Sequence, residues 1–321
     1  MRQLRFLERF LCTSVFDQKV LKVAILGAPN AGKSTLINAA VGSRVSAVSE
    51  IKHTTRTVAN GIKNIGNCQI IFTDTPGIVS FEEGHRLNMD RAHLRGPRRV
   101  AGSADMLAII TDVASKKTRN FIDENIIEIM NSNLEVPAIL ILNKIDLLKR
   151  KEDLIPVASM LMQKRTKDVW GYHSYGGSER FQKCFMISAF SGDGVDDLLD
   201  YLVASSKSGA WEYSDQIYCD SSIDFQISEV FREKLLIIFG HEIPWKVKQE
   251  TVLFHGNDDV VRLHQKLTWP KKSQCRYVMT KLDQLSHACE IELSKMFHSK
   301  VILTVDISQK HNMTKDDLKY Y

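Results

Sequence analysis

Three short segments carry groups that could do phosphate chemistry. The first is Gly27-Ala28-Pro29-Asn30-Ala31-Gly32-Lys33-Ser34-Thr35, which holds the spacing GxxxxGK[ST] in full. Its glycines let a backbone wrap phosphates closely with the N–H groups turned inward. Lys33 offers a point charge to the β- and γ-phosphates of a nucleoside triphosphate, and the Ser34 hydroxyl can ligate Mg²⁺. The second segment is Asp74-Thr75-Pro76-Gly77-Ile78. Its carboxylate can hold the Mg²⁺ shell through water, and the Gly77 N–H can reach the γ-phosphate with no Cβ in the way. The third, Asn143-Lys144-Ile145-Asp146, suits a base. A carboxylate accepts two N–H bonds, and guanine offers two on one edge. Adenine does not, and a site built on hydrogen bonds rejects the wrong partner by ~10⁴ or more in favourable cases. Asn143 can tie this loop to the P-loop and contact the base, while the stem of Lys144 can cover the base face. Ser188-Ala189 would add a backbone N–H toward the guanine oxygen. Alone, DTPG is an ordinary turn and NKxD a common surface tetrapeptide. After a P-loop, in this order, they select GTP over ATP.

Between the first two segments lies His53-Thr54-Thr55-Arg56-Thr57. A threonine there can close over Mg²⁺ when the γ-phosphate is present, giving an ordered and a released state. Thr55 is the first candidate and Thr54 the second. The metal candidates are thus Ser34, Thr55 and Asp74. Ile78 stands where many GTPases carry the glutamine that orients the attacking water, so slow intrinsic hydrolysis is expected. The catalytic candidates are Lys33, Thr55 and Asn30, the last as a residue that could help bind K⁺ against the phosphates.

These groups need a scaffold. The chain has 321 residues, 44% hydrophobic and 25% charged, which excludes disorder over most of its length and predicts about two domains. A net charge of +5 permits an anionic partner without demanding one. No run of ~18 uncharged apolar residues occurs, so no transmembrane helix is expected. Cysteines stand at 12, 68, 184, 219, 275 and 289 with no CxxC pair, a usage that fits free thiols in a reducing compartment.

Apolar runs at Val20–Leu26, Gln69–Phe72, Met106–Ile110, Ala138–Leu142 and Phe185–Ile187 predict strands. Helix-like stretches such as Phe121–Met130 and Leu154–Gln163 lie between them. This alternation predicts an α/β fold with a doubly wound sheet, in which ligands bind beyond the carboxyl ends of the strands. Each motif above falls at such an end. Residues 19–205 form the expected GTPase domain and 206–220 a linker that begins with the small, polar Ser205–Gly209. Residues 221–321 then read as α-β-β-α-β, a small α+β domain, with helices around Ile227–Ile238 and Leu282–Phe297 and strands at Val247–Phe254, Val260–Thr268 and Val301–Ile307.

Two further segments invite a function. Residues 1–18 carry Arg2, Arg5 and Arg9 at helical spacing among leucines and phenylalanines, the pattern of a mitochondrial targeting segment, which Glu8 and Asp17 weaken. Lys164–Lys183 combines Lys164, Arg165, Lys167 and Lys183 with Trp170, Tyr172 and Tyr175. Such side chains could stack on and neutralise RNA, although a solvated surface insertion is the simpler reading.

Together GAPNAGKSTLIN, HTTRT, DTPG and NKID resemble, in order and spacing, the Era family of ribosome-assembly GTPases. SEVFREKLL and the pattern after it resemble that family's C-terminal type II KH domain. AWEYSDQ and the long insertion look more like animal mitochondrial members. The resemblance implies a P-loop GTPase using GTP and Mg²⁺, with a K⁺ role for the P-loop Asn. It also implies an RNA chaperone for small-subunit rRNA of the 12S/16S type that assists assembly of the mitochondrial small ribosomal subunit in the matrix, with peripheral inner-membrane association.

One departure stands out. A KH domain clamps RNA backbone with a GxxG loop, expected near Arg276-Tyr277-Val278-Met279, and neither glycine is present. Lys271, Lys272 and Arg276 keep positive charge nearby, and Tyr277 could stack. The rival reading is a GTP-dependent protein-binding scaffold with a degenerate KH domain that no longer binds RNA. The purine choice itself rests on position 146. Asp146→Asn should lose GTP affinity and gain preference for xanthosine triphosphate, measured by competing the two nucleotides against labelled GDP.

Overall fold

The computed structural model describes residues 17–45, 59–75, 91–115, 118–163, 177–240, 247–256 and 260–309. The chain divides into two compact units, with the boundary between Asp220 and Ser221.

In the first unit, β1 (Lys19–Gly27) lies at the centre of a seven-stranded sheet. It leads through the P-loop into α1 (Lys33–Val41). β2 (Ala59–Ile65) and β3 (Cys68–Asp74) follow as an antiparallel hairpin, with β3 parallel to β1. Next come α2 (Arg91–Ser103), β4 (Met106–Asp112), α3 (Glu124–Ser132), β5 (Ala138–Asn143), α4 (Leu154–Leu161), β6 (Phe181–Met186) and α5 (Val195–Ala204). The strand order is β2-β3-β1-β4-β5-β6, so the order reverses at β1 and the P-loop leaves the sheet there. A crevice at such a switch point is the usual ligand site of a doubly wound sheet.

The strands are apolar on both faces because both faces are covered. Val23 and Ile25 of β1, Ala108 and Ile110 of β4, and Ile139 and Ile141 of β5 pack with Leu36 and Ile37 of α1 and Leu198 and Leu202 of α5. The alternate residues Ala24, Leu26, Leu107, Ile109, Leu140 and Leu142 pack with Ile126 and Met130 of α3 and Leu154 and Leu161 of α4. Asp123 starts α3 by accepting a hydrogen bond from the Asn125 N–H, so the helix begins later than the apolar run at Phe121 suggests.

The stretch expected to be a linker is instead a strap on the first unit. β7 (Lys207–Ser208) pairs antiparallel with the start of β1. Beyond it, the Glu212 and Tyr213 N–H groups donate to Gln69 Oε1, at 2.9 and 3.0 Å, and Gln69 Nε2 donates to the Tyr213 carbonyl. The Ile62 N–H donates to the Tyr218 carbonyl. The Asn60 N–H and Nδ2 donate to the two Asp220 carboxylate oxygens at 2.8 and 2.7 Å. A small polar sequence resembles a linker, but here the amides of Gln69 and Asn60 hold it in place.

The second unit opens with α6 (Ile223–Phe239), capped by the Ser222 hydroxyl and stopped at Gly240. β8 (Lys248–Gly256) and β9 (Val260–Trp269) are antiparallel, and β10 (Lys300–Gln309) is parallel to β9. Between β9 and β10 lie two helices, α7 (Lys272–Met279) and α8 (Leu282–Phe297). The expected α-β-β-α-β order therefore lacks one helix. α7 escapes pattern reading because it is one short, polar stretch that buries only Gln274, Cys275 and Val278. Ile227, Phe231 and Leu235 of α6 meet Leu285, Cys289 and Leu293 of α8 under the sheet residues Leu263, Leu267 and Trp269.

Residues 1–18, expected to be a targeting segment, lie outside the described residues apart from their end, and so does residue range 164–176 of the insertion. Lys183, expected to be in that loop, belongs to β6, with its ammonium 4.9 Å from the Tyr201 ring centroid.

Candidate functional site

The site is built on the carboxyl ends of β1, β3, β4 and β5. Gly27 closes β1 so near to β4 that a Cβ there would meet the Ile110 carbonyl oxygen at 2.5 Å. Gly32 has φ +98°, and a Cβ on it would strike the Asn143 amide. Asn30 also adopts the left-handed region, with φ 62°, a conformation that asparagine tolerates better than most residues. The P-loop is thus a preformed turn that only these residue types permit.

α1 begins at Lys33 with no side-chain cap and no acidic residue in its first turn. Its amino end therefore offers N–H groups and a positive dipole to an anion. Lys33 is only 6% exposed, and its Nζ donates to the carbonyl oxygens of Gly27 (3.1 Å) and Ala28 (2.9 Å). Burial lowers its pKa from 10.5 to about 8, with the nearby Asp74 charge acting in the opposite sense. Carrying that charge inside the fold costs about 3 kcal/mol near neutral pH. The unfolded chain binds more protons between pH 8 and 10.5, so the cost is lifted as the pH rises through that window. A polyphosphate would relieve it at lower pH by supplying negative charge.

The Ser34 hydroxyl donates to Asp74 Oδ2 at 2.7 Å, and Asp74 is fully buried at the end of β3. A hydroxyl and a carboxylate side by side form a hard-oxygen donor set, which suits Mg²⁺ rather than a soft metal. Ser34 and Asp74 would hold that ion. Thr75, counted among the nucleotide contacts, donates its hydroxyl to the Ile25 carbonyl at 2.7 Å and serves to fix the end of β3. Thr54, Thr55, Pro76, Gly77 and Ile78 lie outside the described residues.

At the base end Asn143 is the junction. It is buried, its Nδ2 donates to the Ala31 carbonyl at 2.8 Å, and its Oδ1 accepts the Ala189 N–H at 2.9 Å. The expected tie to the P-loop is present. The Ala189 N–H, expected to aim at the guanine oxygen, is taken by Asn143, and the Ser188 N–H donates to the Asp193 carbonyl. Lys144 has φ 68°, and its ammonium is held by Asp112 Oδ2 at 2.7 Å. Asp146 lies in the 3₁₀ turn Ile145–Leu147 and is exposed, not buried as its purine-selecting role suggests. It would be dried only when a base covers it.

Asp112 is the residue that sequence reading missed. It ends β4 opposite Asn143 of β5, and its other oxygen accepts the Ala114 and Ser115 N–H groups at 2.9 and 3.3 Å. An acid at the carboxyl end of a buried parallel strand was the available signal.

The chain is similar to known proteins in both units. The family model described as a 50S ribosome-binding GTPase matches residues 22–144. GTPase Era of Agrobacterium fabrum is 34% identical, over 93% of this chain and 89% of its own length. Mitochondrial GTPase Era of Salmo salar is 28% identical, over 92% of this chain and 77% of its own. Among solved structures, Era in complex with MgGDPNP and nucleotides 1506–1542 of 16S ribosomal RNA aligns with a TM-score of 0.74 at 23% identity. It covers 94% of this chain and is itself covered to 98%, a likeness of fold.

The state of Lys33 gives a measurable consequence. Burial holds the Lys33 pKa down at about 8, and bound phosphate should raise it and draw in a proton. Calorimetric titration with GDP at pH 8, in two buffers of different ionisation heat, should register net proton uptake on binding. Affinity should then fall as the pH rises further. Binding without proton exchange would refute the assignment.

Proposed function

Because the chain belongs to the Era family of GTPases, which split GTP to GDP and phosphate, we propose that it is a GTP-switched RNA chaperone. It binds small-subunit rRNA and assists assembly of the mitochondrial small ribosomal subunit. The observation that carries this reading is the extent of the family match: 93% of the chain, through the GTPase unit and the α-β-β-α-α-β unit after it. A GTPase unit alone would leave the substrate open, because fold does not fix function. A mitochondrial location is supported by the named mitochondrial relatives and the arginine-rich first residues, and the proposal places the chain in the matrix, in peripheral association with the inner membrane. Among the described residues, no helix is long and apolar enough to cross a membrane.

In the reaction, Lys33 would leave the Gly27 and Ala28 carbonyls for the β- and γ-phosphates, and the amino end of α1 would hold the anion. Ser34, Asp74 and Thr55 would hold Mg²⁺, which when bound would supply charge neutralisation for the phosphates. Asn143 would keep the two loops in register while Asp146 selects guanine. Ile78, in place of glutamine, leaves the attacking water without a side chain to orient it, so hydrolysis should be slow without assistance. Asn30 is assigned a part in holding K⁺ against the phosphates. Replacing K⁺ with Na⁺ should then slow turnover, and an unchanged rate would remove that assignment.

The absent GxxG glycines favour a second reading, a GTP-dependent protein scaffold. Filter binding with a fragment from the 3′ end of small-subunit rRNA separates the two. The chaperone reading expects an affinity that differs between a non-hydrolysable GTP analogue and GDP. No GTP-sensitive binding at moderate salt would leave the scaffold.

A further inference from the structure

In KH domains, glycines between two helices let phosphates reach the backbone. Here the corresponding residues, Arg276 to Met279, complete α7, and the chain turns only at Thr280 and Lys281 before α8. Every backbone position in that turn bears a side chain, so close approach of phosphate to backbone is blocked. What α7 and this turn present instead is a ring and a set of cations.

Tyr277 is 46% exposed and Met279 59%. An exposed tyrosine would ordinarily swing freely, but this one is braced. Its ring stands edge-on to Phe239, with centroids 5.5 Å apart and planes at 75°, an arrangement that aromatic pairs favour. Phe239 itself is packed against the core under the sheet. The Lys281 ammonium lies 5.9 Å from the Phe239 centroid. A half-exposed ring fixed in direction is a stacking platform that loses little freedom when a base lands on it.

The charges are placed for a partner rather than for the helix. Lys271, Lys272, Arg276 and Lys281 are exposed, and none forms an ion pair among the described residues. Lys271 is the N-cap of α7 and Lys272 its first residue, where the positive helix dipole disfavours a cation. From Pro270 to Asp283 the sequence has these four cations and a single acid, Asp283.

We propose that α7 and the turn after it form a rebuilt RNA-binding tip, in which an unpaired base stacks on Tyr277 while Arg276 and Lys281 neutralise the flanking phosphates and Lys271 and Lys272, at the other end of α7, meet phosphates further along the strand. The ligand is single-stranded RNA, a flexible polyanion with π faces. The assignment rests on the rRNA reading above and replaces the glycine clamp with stacking.

The full chain is titrated with the 3′-end rRNA fragment at several salt concentrations. Tyr277→Ala should weaken binding about 5- to 150-fold, the worth of one stacked base, and leave the salt slope unchanged. Lys272→Ala should lower that slope by about 0.7, as expected for one phosphate contact on a single strand. Tyr277→Phe should bind like the parent, and matching thermal unfolding of the three variants controls for misfolding. A parent that binds RNA while Tyr277→Ala binds equally well overturns the tip and leaves the rRNA reading intact. A parent that binds no RNA overturns both. If Tyr277→Ala loses binding to phosphatidylserine vesicles but not to RNA, the tip is a membrane contact and the proposal is wrong.

Discussion

One buried amide holds the nucleotide site together. Asn143 gives its N–H to the phosphate loop at Ala31 and takes an N–H from the base loop at Ala189. The two loops leave different strands and are joined by no covalent link nearer than the chain itself. Without this side chain, a buried carbonyl and a buried N–H would each lack a partner, at about 1–3 kcal/mol apiece. The amide is also the reason Gly32 must be glycine, since its Nδ2 occupies the space that a Cβ would need. Phosphate grip and base selection are therefore set by one geometry, and the spacing between the two ends of a nucleotide is built in before any nucleotide arrives.

Lys33 is the opposite case, a group held in tension until the ligand comes. Its charge is buried against carbonyl oxygens, and its proton is bound more weakly than in water. Burial of that charge costs stability, and a bound phosphate would offset the cost. The Ser34–Asp74 hydrogen bond is a similar placeholder, two oxygen donors satisfying one another where a hard cation fits. The site is preorganised in its backbone and provisional in its charges.

The parts of this architecture that sequence reveals are those fixed by local chemistry. GxxxxGKS, Asp74 and NKID were legible because each depends on residue type at fixed spacing, and β1, β3, β4 and β5 because strands buried on both faces are continuously apolar. β2 was not. Its residues ANGIKNI form no apolar run, because Asn60 and Asn64 bond to the strap, a partner some 150 residues away in the chain. Asp112 was hidden for a related reason, since its role appears only when Lys144 is brought beside it. The exposure of Asp146 and the committed N–H of Ala189 could not be read at all. Both depend on how the loops sit in three dimensions.

The strap from Lys207 to Asp220 has a bearing on where the GTPase unit ends. β2 is the last strand on its side of the sheet, and an uncovered outer strand is a template on which other chains can pair. Here the Ile62 N–H is occupied by the Tyr218 carbonyl, the Asn60 N–H by Asp220, and Gly61 forms a bridge with Cys219. A fragment stopped at Ser205, just after α5, would strip that cover away. The smallest piece able to stay apart from its own copies is the one that keeps these fifteen or so extra residues, because they serve as the sheet's selvedge.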